Sequence, residues 1–242
     1  MTNRRPTSAP KRATKAPAKR SRPRATRKSH DLSSIEPADF FEDFLVERYA
    51  AGLERSAAPS GYDLVVQVVL AGDGGGEWAL HFDERGLAVS RGRPARKPDV
   101  HVFQSVADWL AVVRGELGGP SAALAAASAE PAPVLPLDTT SRDRLRRIEG
   151  TLSFTVRHFQ GRDWRLGIHF GAGSLREPAD TTFSMSLLDF QSLASAGRAP
   201  NLQALMLGGA LRIEGNFALA GELAAIAATH AQATFGRHPG NG

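Results

Sequence analysis

LGGALRIEGNFALAGEL, residues 207–223, is the stretch on which the fold turns. Gly208 and Gly209 can stop a preceding helix, in which Leu202, Leu205 and Met206 fall at i, i+3 and i+4. Leu211 and Ile213 alternate with Arg212 and Glu214, the two-residue period of a strand with one buried face. Gly215 turns the chain and Asn216 is placed to cap a helix. Leu219, Leu223 and Ile226 form the apolar stripe of that helix. The unit reads helix, glycine stop, strand, glycine turn, helix, and its short strand must rejoin a sheet made earlier in the chain.

That sheet lies in the β-rich region 150–186. Leu152, Phe154 and Val156 point one way, as do Trp164, Leu166, Ile168 and Phe170. All are even-numbered, so antiparallel partners on one face require an odd number of loop residues, and a three-residue turn at Gly161-Arg162-Asp163 supplies it. Phe183 and Met185 continue the face on a later strand, and helices follow near 187–195 and 201–207. On this register His169 falls on the opposite face and is expected to be exposed.

An earlier β-rich region, 62–103, is built alike. GYDLVVQVVL (61–70) matches GTLSFTVRHF (150–159), and each is followed by a turn, a tryptophan and a His-Phe pair. DVHVFQSVADW (99–109) aligns without gaps to DTTFSMSLLDF (180–190), repeating Asp, Ser at +6, Asp at +9 and an aromatic at +10. Ser105-x-x-Asp108 and Ser186-x-x-Asp189 have capping-box spacing, which assigns these polar pairs to helix starts rather than to a nucleophile and its base. An internal repeat is therefore expected.

The surroundings divide by composition. Residues 1–30 hold eleven of the 30 Lys/Arg and none of the 25 Asp/Glu, so the remaining chain is acidic by six. With no aliphatic or aromatic anchor, this tail is expected to be a disordered arm for an anionic membrane surface or nucleic acid. Residues 37–55 read as a helix, with Pro37 at its start and Phe40, Phe41, Phe44, Leu45, Tyr49 and Leu53 on one stripe. A helix over 104–117, an Ala-rich piece and proline linker over 121–140, and a short charged helix at 141–149 connect the two β regions. The expected domains are thus 1–30, 31–120, 121–140 as linker, and 141–236. No cysteine is present, which excludes disulfides and thiolate chemistry and fits a reducing cytoplasm. No apolar run is long enough to span a bilayer, and the Ala, Arg and Gly content suggests a bacterial source.

The order of elements, with Trp164, ADTTFSMSLLDF (179–190) and Gly209-x-Leu211-x-Ile213-x-Gly215-Asn216, resembles the sterol carrier protein type 2 family. The resemblance covers about 145–230 and, through the repeat, part of 61–117. It implies an α+β fold, a twisted and mainly antiparallel five-stranded sheet covered on one face by helices, here with a second partial copy. It also implies an apolar tunnel for a fatty acid, acyl-CoA, sterol or isoprenoid. The residues expected to line it are Phe154, Trp164, Leu166, Ile168, Phe183, Met185, Phe190, Leu205, Met206, Leu211, Phe217, Leu219 and Leu223. The first copy departs from the family by lacking the Gly-x-Leu-x-Ile-x-Gly strand, so the expectation is either a degenerate copy or one that completes its sheet with the 37–55 helix or the other copy.

Other chemistries lack their residues. The seven histidines show no HExxH or paired ligand spacing, and no metal site or cofactor is expected. No Gly-x-Ser-x-Gly elbow is present, and GDGGGE (72–77) lacks the spacing and lysine of a phosphate loop. The expectation is a non-catalytic carrier of a lipid-like small molecule. The alternative is an interaction scaffold whose tunnel is filled core, with the basic tail binding nucleic acid or membrane.

Overall fold

The computed structural model describes residues 31–119, 121–122, 136–173, 175, 177–195 and 202–235. The basic tail, most of the Ala-rich piece and most of the proline linker lie outside the described residues. Helix α1 runs through Pro37–Asp39, a π-helical turn Phe40–Phe44, and Leu45–Arg55. Strands β1 (Asp63–Ala71), β2 (Gly76–Asp83), β3 (Leu87–Arg91) and β4 (Val100–Ser105) lead to α2 (Val106–Val113). After α3 (Thr139–Leu145) come β5 (Gly150–Phe159), β6 (Arg162–Phe170), β7 (Thr181–Ser186) and α4 (Leu187–Ser195). The chain then forms α5 (Leu202–Leu207), β8 (Leu211–Gly215) and α6 (Phe217–Phe235). Helix α3 starts at Thr139, two residues before the sequence expectation, because Asp138 accepts from the Ser141 amide (3.0 Å).

All eight strands form one sheet in the order β3-β2-β1-β4-β6-β5-β7-β8. The expected class is present, but the expected five strands are eight. The pairs β1/β4 and β5/β7 are parallel and the other five are antiparallel. When these two parallel pairs are matched, each half lacks one strand that the other has. The first half has none beyond β4 where the second has β8, and the second has none beyond β6 where the first has β3. These two open edges pair with each other, Val100 opposite Phe170 and Val102 opposite Ile168. The pairing satisfies backbone groups that an exposed edge would leave for another chain to take.

The β5/β6 hairpin keeps the expected face, with Leu152 opposite Ile168, Phe154 opposite Leu166 and Val156 opposite Trp164. Its turn differs from the three residues expected. The strands close through Gln160 and Gly161, at φ of 49° and 79°, and a bulge between Val156 and Phe159, with His158 at φ 65°, absorbs the parity. Two left-handed residues twist the chain the way the paired strands twist, and the bulge restores the inward face.

One face is apolar across the whole sheet. It carries Trp78 and Leu80 of β2, Val66 and Val68 of β1, Val100 of β4, Phe170 of β6, Leu152 of β5, Phe183 and Met185 of β7, and Leu211 of β8. The other face is mostly polar and is met by two connections, 92–99 between β3 and β4 and the described residues 171–173, 175 and 177–180 between β6 and β7. Each ends in an aspartate that ties down the first strand of its half. The Val65 amide donates to Asp99 Oδ2 (2.8 Å) and the Thr151 amide to Asp180 Oδ2 (2.6 Å).

The second crossing corrects the expectation for His169, which is 1% exposed. Its Nδ1 lies 2.9 Å from Thr151 Oγ1 and its Nε2 3.2 Å from Ala172 O, within the 171–180 connection. Alternation along a strand assigns a side chain to a face but does not reveal a loop lying over that face. The ring also faces His101 across the β4/β6 seam, with centroids 5.8 Å apart. Burial, the neighbouring His169 and Lys97 together hold His101 below the ordinary histidine pKa.

Candidate ligand-binding face

The opening motif builds the end of the candidate site. Gly215 sits at φ 91°, and a methyl there would collide with the Asp180 carbonyl oxygen, so only glycine lets β8 end against β7. The next amide, of Asn216, donates to that same oxygen (2.8 Å). Asn216 Oδ1 then accepts from the Ala218 and Leu219 amides (3.0 and 3.3 Å) and starts α6 as expected. Leu211 pairs with Met185 and Ile213 with Phe183, which carries the apolar face onto the last strand.

Twelve of the thirteen expected lining residues separate into three groups, and Trp164 stands outside them. Phe183, Met185, Leu211 and Leu219 are buried in the main core with Leu152 and Phe170. Phe154, Leu166, Ile168, Phe190, Leu205 and Leu223 are half-buried against core. Met206 and Phe217 are 37% and 58% exposed. Trp164 stands apart, 4% exposed in a small cluster with Ala111, Leu117, Val156 and Phe159. Its indole N–H donates to Asp108 O (2.7 Å), and Asp108 is ion-paired to Arg162, so this ring fastens β6 to α2. The aromatic pair Phe154 and Phe190, with centroids 6.3 Å apart, borders both clusters.

Half-burial of Phe154, Leu166 and Ile168 is informative because β5 and β6 are interior strands with neighbours on both sides. The helices above them leave part of these side chains uncovered. Leu193, three residues after Phe190, and Ile213 are also half-buried against the same core. Sequence reading left both out of the lining set, although the helical spacing from Phe190 and the alternation in β8 pointed to them. Beside this face, a groove of about 520 Å³ runs between Arg144 and Arg147 on one side and Asn216 and Glu222 on the other, with Ile148 and Leu219 also lining it.

Both expected helix caps form. Asp108 N donates to Ser105 Oγ (3.0 Å) and Asp189 N to Ser186 Oγ (3.1 Å). In each case the serine hydroxyl donates to the aspartate side chain (2.8 and 2.5 Å), the shorter acid reaching the hydroxyl in place of the backbone N–H of a usual capping box. The hydroxyls are thus committed to local bonds. Among the described residues no group of three or more His, Asp or Glu side chains is arranged to hold a metal ion, and no helix is long and apolar enough to cross a membrane.

Two solved structures are similar to parts of the chain. Sterol carrier protein 2 from Yarrowia lipolytica, in its apo form, is 21% identical over 36% of this chain and 73% of its own, with a TM-score of 0.26. A double mutant of the sec-alkyl sulfatase PisA1 is 14% identical over 81% of this chain, with a TM-score of 0.24, and this chain spans only 17% of the sulfatase. No curated protein matches the chain. The family comparison falls on the segment that carries α3 to most of α6, where residues 133–228 match the SCP-2 sterol transfer family.

Proposed function

We propose that the C-terminal half binds and carries a lipid-like molecule, a fatty acid, acyl-CoA, sterol or isoprenoid, without transforming it. The observation that carries the reading is the half-burial of Phe154, Leu166 and Ile168 on interior strands of a segment that matches a sterol transfer family. A ligand lying over them, under Phe190, Leu205 and Leu223, would remove the remaining apolar surface from water. Such burial contributes roughly 25 cal/mol per Å². The exposed Met206 and Phe217 suit the rim of the site. No step needs a nucleophile, because release of cargo requires only that the cover open.

Residues 1–30 add a second element to this reading. Eleven positive charges without an acid favour an anionic membrane, where such cargo is collected, on a protein that works in the cytoplasm. The test is native mass spectrometry on freshly purified protein, with lipid analysis of its organic extract. A discrete added mass of a few hundred daltons, lost on denaturation, is expected. A bare mass, with no uptake of offered fatty acid, sterol or quinone, would make the face ordinary core and favour the scaffold reading. Vesicle binding that survives deletion of residues 1–30 would remove the tail from the mechanism, and preferential retention on nucleic acid would reassign it.

A further inference from the structure

The N-terminal half presents its own apolar face, with Val66, Val68, Leu80 and Trp78, and among the described residues nothing like α5, β8 and α6 follows it. Helix α1 covers that face instead. In its π turn Phe41 is buried and Phe40 half-buried, and both rings pack on Trp109. The Phe41 ring centroid lies 4.9 Å from Trp78 and 5.9 Å from Trp109, and the Phe40 ring 5.2 Å from Trp109. At the rim the next residue, Glu42, turns outward. Its Oε1 accepts from the Trp78 indole N–H (3.1 Å) and from Arg91 Nε (2.7 Å). Arg91 and Trp78 together hold this carboxyl below the usual carboxylate range.

One short segment therefore offers a carboxylate at the surface and a block of apolar carbon behind it, which is the construction of a fatty acid. We propose that the apolar face of the N-terminal half is a second site for a long-chain carboxylate, occupied by α1, with Glu42 in the place of the ligand's head and Phe40 and Phe41 in the place of its chain. The inference rests on the C-terminal half being a hydrophobic-ligand site. Trp78 Nε1 and Arg91 are donors already aimed at an oxygen anion, and Trp78, Trp109 and Leu80 form an apolar floor. Because α1 is tethered through residues 56–62, it competes as an intramolecular ligand at high effective concentration. The site is therefore closed in the free protein.

The test counts bound stearate by native mass spectrometry in the full chain and in a Phe40→Ala/Phe41→Ala variant. The variant is expected to take up one equivalent more than the wild type, and adding Arg91→Gln should weaken that extra equivalent about tenfold. Equal counts in a variant that retains its fold would overturn the proposal. Should the variant unfold, Glu42→Gln decides, since this exposed side chain can change without opening the core. Saturating stearate should then speed hydrogen exchange across residues 37–55 at least tenfold, and unchanged exchange would overturn the proposal. No stearate on the wild type and one on the double variant would sink the reading of the C-terminal half while upholding this one. None on either would sink both.

Discussion

Trp109 and Phe190 hold matching places, each one residue past the aspartate of a capped helix that follows a parallel strand, yet Trp109 is 6% exposed and Phe190 only half-buried. Below them the strands differ position by position, and Val66 and Val102 are half-buried where their counterparts Leu152 and Phe183 are buried. At two other positions the first half is the tighter one, Val68 and Leu80 being buried whereas Phe154 and Ile168, their counterparts when the two parallel pairs are matched, keep part of their surface open. One apolar face is thus covered in two ways, by an aromatic helix in the first half and by helices that leave Phe154, Ile168 and Phe190 half-buried in the second. On the proposed reading, such a sheet offers a binding site where its cover leaves apolar side chains half open.

The contrast makes its largest prediction at these two aromatics. Trp109→Ala removes a ring packed on Phe40 and Phe41 and should cost about 3–5 kcal/mol by urea denaturation. Phe190→Ala should cost about 1–2 kcal/mol, because its site is already half open. Equal losses would erase the distinction between the halves.

The seam between them should respond to acid. His101 has its folded pKa below the unfolded value of 6.5, so the unfolded chain takes up a proton more readily. The stability that neutral His101 allows is complete above pH 6.5 and is lost as pH falls from there towards the lowered folded value. Thermal melting between pH 7.5 and about 5.5 should show the decline, and His101→Asn should flatten it. A slope unchanged by the substitution would place the titrating group elsewhere. The smallest effect is expected where the halves are alike. Ser105→Ala and Ser186→Ala should each cost about 1 kcal/mol through the lost cap, and a large inequality would show that the two helix starts are not equivalent.

Much of this architecture was legible because local periodicity records it. Alternation at Leu211 and Ile213 marked β8, the i, i+3, i+4 spacing of Leu202, Leu205 and Met206 marked α5, and Ser-x-x-Asp marked two helix starts. What was not legible depends on contacts distant in sequence. Completion of the first sheet by the other copy was one stated alternative, but nothing near Val100 or Phe170 announces that their strands are the ones that pair, and eight strands are joined where five were expected. The His158 bulge and the burial of His169 follow from hairpin twist and a crossing loop, neither of which alternation encodes. At the candidate site the apolar residues could be named in advance. Their division into sealed and half-open ones could not, because composition does not record how tightly helices lie on a sheet.

The pairing of β4 with β6 also limits how the molecule can be divided. The family match begins at residue 133, which invites expression of the C-terminal segment alone. Such a fragment would keep β6 but lose the strand that hydrogen-bonds to it from Gly167 to Phe170, leaving a raw edge beside Ile168. It is expected to dimerise through that edge or to precipitate. Supplying residues 31–119 as a separate chain should restore it to solution, since the missing partner strand would then be present. Sequence kinship and mechanical integrity draw their borders at different places in this protein, and the line of kinship is not one along which it can be cut.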